Sequence, residues 1–121
     1  MGMRLKGLYI KDDIIYYVLQ LQNESAVGYT IDVLRFYIKD RVQAKRTASQ
    51  ELVQVPLYVY GNSNNIAGNS MHTIVVALPK FTIPDKKLLY VQMIEKNGGR
   101  HLQFKVSNRK IIQAKFINNS F

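Results

Sequence analysis

Few residues of this 121-residue chain have the type and spacing that chemistry requires: two histidines, one pair of adjacent aspartates, a glycine-rich turn and a basic cluster. Metal binding and acid/base work both need convergent groups. His72 and His101 each stand in a strand-like stretch with no carboxylate spaced as a partner, so a metal site would need ligands from elsewhere. His101 falls on the polar side of its alternating stretch and is expected to face solvent. His72 alternates with Ile74, Val76 and Leu78, which predicts a half-buried structural histidine at the end of an inward face. Asp12-Asp13 interrupts two strand-like runs, where aspartate is favoured because it bonds nearby backbone, and adjacent extended residues point their side chains apart. Asn97-Gly98-Gly99 is followed by another strand rather than a helix, so it reads as a turn and not as a phosphate cradle. The Gly, Asn and Ser-rich residues 61–69 have no P-loop lysine, and no serine sits in a nucleophile elbow. The expectation is a protein that is not an enzyme, with no catalytic, cofactor-binding or metal-binding residue.

The basic cluster is the remaining candidate. Seventeen Lys and Arg against eight Asp and Glu give a net charge of +9, which invites a nucleic-acid reading. Most of these cations are spread along the chain in turns or on polar strand faces. Arg41, Lys45 and Arg46 stand apart, in a stretch that few acids dilute, and form the candidate partner-binding site; the plainer reading is a solvated connection between strands. Tyrosines at 16, 17, 29, 37, 58, 60 and 90 fall in or beside strands. Exposed ones on a basic sheet suit stacking on bases or a protein contact, whereas cross-strand pairs simply stabilise the sheet.

The elements that position these residues read as strands nearly throughout. Ile15, Tyr17, Leu19 and Leu21 keep one face of residues 14–22 apolar, and Leu34, Phe36 and Ile38 alternate with Arg35, Tyr37 and Lys39. Pro56 predicts an edge, a bulge or a break within 52–60. Residues 88–106 read as a hairpin with Asn97-Gly98 as a primed turn, with Leu102, Phe104 and Val106 buried and His101, Gln103 and Lys105 exposed. A loop over 61–69, a strand over 71–78, an ordered turn over 79–86 and a final strand over 110–117 complete the pattern. Residues 40–51 lose the alternation and tolerate at most a helical turn. About seven to nine strands at short spacing predict one domain over 1–121, all-β, an antiparallel sandwich of broadly immunoglobulin-like architecture. The chain has 47% hydrophobic residues and no cysteine, enough for a core without disulfides, and it has no apolar run of the ~20 residues that a spanning helix needs. The chain as given is expected to be soluble, and Met1-Gly2 looks like an added start on a domain cut from a longer polypeptide.

Four separated segments carry a family resemblance: Leu34 to Asp40, Gln43 to Glu51, Ala77 to Asp85, and Glu95 to His101. Together they resemble the C-terminal domain of the TraN family of Bacteroidetes conjugative transposons. The resemblance implies an exported component of a type IV secretion-like transfer apparatus, located in the periplasm or at the outer membrane, with Arg41, Lys45 and Arg46 inside or beside the matched segments. By architecture it is also similar to the outer-membrane-core subunit of better-known type IV systems, whose C-terminal β-sandwich binds a small lipoprotein; fold likeness of this kind is analogy. The implied role is a non-enzymatic assembly subunit that contacts other apparatus proteins, a small lipoprotein among the candidates, and that forms a homo-oligomer in the full assembly. The alternative is a domain that holds transferred DNA through its basic surface. A carbohydrate-binding or hydrolytic domain is weakest, because no convergent carboxylates are visible.

Overall fold

Alternation of apolar and polar side chains at a two-residue period dictates most of what this chain does. The computed structural model describes residues 1–41, 50–84 and 86–116. In chain order it contains β1 (Gly2–Lys11), β2 (Ile14–Asn23), β3 (Tyr29–Asp40), β4 (Leu52–Gln54), β5 (Tyr58–Tyr60), β6 (Asn65–Ile66), β7 (Ser70–Pro79), β8 (Lys87–Glu95), β9 (Leu102–Val106), α1 (Asn108–Ile112) and β10 (Lys115–Phe116). One sheet runs β10-β1-β2-β7-β5, and the other runs β4-β3-β8-β9 with β6 added against β3. All pairings are antiparallel except the two-residue contact of β1 with β10, which is parallel. The expected β-sandwich is therefore present.

The core lies between the sheets. From the first sheet, Ile15, Tyr17 and Leu19 pair across to Leu78, Val76 and Ile74, and all six are buried. From the second come three cross-strand rows: Leu34–Met93–Leu102, Phe36–Val91–Phe104 and Ile38–Leu89–Val106. The rows bury best on β3 and β8. β9 is the edge, so Val106 is buried but Leu102 and Phe104 are only half-buried, while His101, Gln103 and Lys105 are exposed as alternation requires. The expected direction holds, and the expected depth at Phe104 does not, because an edge strand has a neighbour on one side alone.

Turn chemistry corrects two further expectations. The tight primed hairpin is at Asp12-Asp13, with φ of 50° and 61° between the paired residues Lys11 and Ile14. At Asn97-Gly98 only Asn97 takes a positive φ, 54°, and the last paired residues are Met93 and Leu102. That connection is a wider loop, held by the Glu95–Arg100 ion pair rather than by turn geometry. Past β9, the predicted strand over 110–117 is replaced by α1 and the short β10. Ser107 caps α1, its hydroxyl accepting from the Lys110 N–H at 3.4 Å, and this local bond competes with extended pairing. Within the loop over 61–69, Ile66 is fully buried and pairs with Tyr29, which makes that residue part of the core. Pro56 breaks the chain between β4 and β5. The tolerated helical turn falls largely on 42–49, outside the described residues.

Among the described residues, no helix is long and apolar enough to cross a membrane. One core group is unusual: the Tyr17 hydroxyl is buried with no hydrogen-bond partner among the described residues, and burial pushes its pKa upward. A hydroxyl left unsatisfied in the core costs stability, so Tyr17→Phe should raise the urea midpoint, by a stability gain of about 1 kcal/mol. A lowered midpoint would show that the hydroxyl is satisfied.

Candidate functional site

Arg41 follows directly on β3, and its backbone N–H donates to the Lys86 carbonyl at 2.8 Å, fixing the chain where it leaves the sheet. Lys45 and Arg46, its predicted companions, lie outside the described residues. The structure instead gathers Arg41 with three cations that sequence reading did not connect to it. Arg4 on β1, Lys105 on β9 and Lys110 on α1 join Arg41 around an open cleft of about 580 Å³, whose apolar lining includes Met3, Leu5, Leu88 and Phe104. Among the described residues no carboxylate lines it. The cleft forms where β1, next to last in its sheet, meets β9, the edge strand of the other. Among the described residues β10 pairs with β1 at Tyr9 and Ile10 alone, away from Arg4. Arg4, Arg41 and the close pair Lys105 and Lys110 are far apart in sequence, so strand order is what brings these three parts of the chain together.

A second candidate surface is the ribbon that crosses between the sheets, residues 52–60, which contains no charged residue. Val55 is 73% exposed, and along β5 Tyr58, Val59 and Tyr60 are 56%, 41% and 51% exposed. Successive strand residues point to opposite faces, so β5 is bare on both. Among the described residues it pairs with β7 alone, through Tyr58–Ala77 to Tyr60–Val75. The strands that flank the cleft carry protective features: Arg4, Lys6 and a bulge between Leu5 and Gly7 on β1, and Lys105 on β9. β5 is short, three residues, and none of them is charged.

The tyrosines divide between roles. Tyr37 and Tyr90 stack at 5.3 Å and 7° on the outer face of the second sheet, and both are buried. Arg35 stands 4.3 Å from the Tyr37 ring centre, while Lys39 and Lys105 stand 5.4 and 5.6 Å from that of Tyr90. The Tyr37 hydroxyl donates to Gln103 at 3.3 Å. These rings are spent on each other and on their cations, with no free face for a base. Tyr58 and Tyr60, 5.9 Å apart at 36°, are the exposed pair.

The strongest polar assembly is structural. Arg100 grips Glu95 with Nε at 3.1 Å from both carboxylate oxygens, donates to the Gly28 carbonyl at 2.8 Å, and lies 5.2 Å from the Tyr29 ring. The Tyr29 hydroxyl returns a bond to the Arg100 carbonyl at 2.6 Å. The guanidinium's hydrogen bond holds the Glu95 carboxyl below its ordinary range, and burial is the main cause of the raised pKa of Tyr29. Glu95 and Arg100 flank the loop that sequence reading treated as a plain turn; opposite charges five residues apart across Asn97-Gly98 were the available signal.

His72 is half-buried and His101 exposed, as read from alternation. Asp13 pairs with Lys80 at 3.4 Å on the surface. Among the described residues no group of three or more His, Asp or Glu is placed to hold a metal ion.

No curated protein and no solved structure matches this chain. Residues 1–116, which include the cleft, the exposed ribbon and the Arg100 assembly, match one family model, and the chain thus belongs to the family described as Domain of unknown function (DUF4138).

Proposed function

We propose that this domain is a non-enzymatic assembly subunit of a conjugative transfer apparatus of the type IV secretion kind, making protein contacts in the cell envelope, in the periplasm or at the outer membrane. The family resemblance of its four segments to TraN C-terminal domains supplies the system. The observation that carries the role is the uncharged ribbon 52–60, in which β5 has an edge with no partner among the described residues and two exposed faces. Exposed contiguous apolar surface on a chain of net charge +9 is what a protein contact uses and what a solvated surface avoids. Partners of the required kind are neighbouring apparatus proteins, a small lipoprotein or further copies of the subunit.

The DNA reading is weaker. Single strands are held by free aromatic faces beside cations, and Tyr90, over which Lys105 of the cleft stands, is already stacked on Tyr37, with both rings buried.

The test is Val55→Glu with Tyr58→Glu in the full-length protein. Both side chains are exposed, so the fold should keep its melting temperature within the small range of surface changes. Recovery of cross-linked envelope partners should fall about tenfold or more, the scale of a lost interface anchor. DNA affinity at physiological salt should be no better than roughly 10⁻⁴–10⁻⁶ M. Unchanged partner recovery, or tight salt-sensitive DNA binding, would overturn the assembly role.

A further inference from the structure

The loop between β8 and β9 carries Asn97-Gly98, and its surroundings give that dipeptide a chemistry of its own. Both ends of the loop are pinned. The Lys96 N–H donates to the Thr30 carbonyl at 2.9 Å, and Arg100 holds Glu95 together with the carbonyls of Val27 and Gly28. Between these anchors Asn97 stands exposed in the left-handed region, φ 54°, and its side-chain amide enters no hydrogen bond with the described residues. Other asparagines are engaged: Asn23 is buried, Asn62 donates to the Asn65 carbonyl at 2.7 Å, and Asn108 accepts from the Ile83 N–H at 2.8 Å. Gly98 is required by space. A Cβ there would run into the Glu95 carboxylate that Arg100 holds, whereas at Gly99 nothing lies within 4 Å of that position. The clasp thus demands, next to Asn97, the residue type that leaves its backbone nitrogen unshielded.

We propose that Asn97 is a site of spontaneous deamidation, and that opening of the Glu95–Arg100 clasp sets its rate. The Gly98 backbone nitrogen gives its proton to solvent base and bonds to the side-chain carbonyl carbon of Asn97, and the amide nitrogen leaves as ammonia. The cyclic imide then takes up a water and opens at either carbonyl, to aspartate or to an isoaspartyl link that carries the main chain through the side-chain carboxyl. Ring closure asks Asn97 and Gly98 to rotate together, and a loop pinned at both ends resists that rotation until it opens locally. The Glu95 carboxylate against Gly98 is a second brake, because its negative charge opposes loss of the neighbouring amide proton. The closed loop is protected and the open loop reactive. The product acts back on the clasp: a carboxylate at position 97 repels Glu95 and competes for Arg100, and an isoaspartyl link lengthens the loop. Modification therefore loosens the tie between this loop and the segment before β3.

Peptide mapping by mass spectrometry, after incubation of the chain at mildly alkaline pH, reads the conversion at each asparagine. Asn69, which precedes Ser70 in a different loop, is the internal comparison. In the folded wild type Asn97 should convert several-fold more slowly than in the urea-unfolded chain. Arg100→Ala and Glu95→Ala open the clasp from its two sides, and each should bring Asn97 several-fold closer to the unfolded rate while Asn69 keeps its wild-type rate. Where Arg100→Ala fails to fold, Glu95→Ala carries the comparison. Asn97→Gly keeps the left-handed conformation, so it should abolish conversion at this site and leave the melt within the small range of surface changes. Equal rates at Asn97 in the folded and unfolded wild type, or clasp variants no faster than wild type, would overturn the proposal. A rise at Asn69 as large as that at Asn97 would mean that the variants open the whole fold, and would overturn the local gate as well.

Discussion

Phe36→Ala should cost about 3–5 kcal/mol, the range for deleting a fully enclosed aromatic ring, and so remove a large part of the ~5–15 kcal/mol that holds a domain of this size together. Phe36 is fully buried at the centre of the second sheet, in the row Phe36–Val91–Phe104, and its ring meets that of Tyr17 from the opposite sheet at 5.8 Å and 57°. Truncation loses the transfer energy of the ring and that tilted aromatic contact, and it leaves a cavity between two sheets whose strands are fixed by their ladders and cannot collapse to fill it. Phe104, in the same row but on the edge strand, is half-buried and should cost less, about 1–2 kcal/mol when cut to Ala. Urea denaturation of the two variants measures the contrast. A Phe36→Ala melt close to wild type, or equal losses at both sites, would mean that the core is not centred where the register puts it.

That contrast also shows what alternation can and cannot say. The two-residue period assigns a face correctly at Ile15 to Leu21, at Phe36 and Ile38, and at Leu102 to Val106. It is blind to position within the sheet, which decides how deep a face residue lies, hence the error of depth at Phe104. Tyr37 is the converse case: alternation places it on the outer face, and it is there, yet neighbouring Tyr90 and the flanking cations cover it. At Asn97-Gly98 the favoured dipeptide does not set the turn, because the Glu95–Arg100 pair sets the loop's span. α1 was missed because five residues are too few to show a helical period, and only the Ser107 cap marks its start. The site was less legible than the fold. Arg41 was found as part of a local cluster, but its companions in the cleft come from β1, β9 and α1, and their meeting follows from strand order. The ribbon 52–60 was visible as apolar sequence, yet its exposure on both faces depends on β5 being last in its sheet.

Arg100→Ala should lower the melting temperature most near neutral pH, and the gap from wild type should narrow as the solution is acidified. The guanidinium fixes the loop after β8 to the segment before β3, through Glu95 on one side and the carbonyls of Val27 and Gly28 on the other. Glu95 has its pKa lowered from 4.5, mainly by the hydrogen bond from Arg100. A carboxylate depressed in the folded state adds stability that is complete above its unfolded value, and that drains away as pH falls through the lower, folded one. The wild type therefore loses this contribution below about pH 4.5, while the variant has already lost it. What remains of the gap in acid reports the two carbonyl bonds and the contact with Tyr29. Glu95→Gln separates the parts: it keeps an acceptor for Arg100 but cannot titrate, so its stability should stay flatter through the same interval. Arg100→Lys should rescue little, because a single ammonium cannot reproduce the fork that reaches the carboxylate and two carbonyls together. A gap of constant size from neutral pH to well below pH 4.5 would show that the ion pair is incidental, and that Arg100 acts only through the backbone it binds.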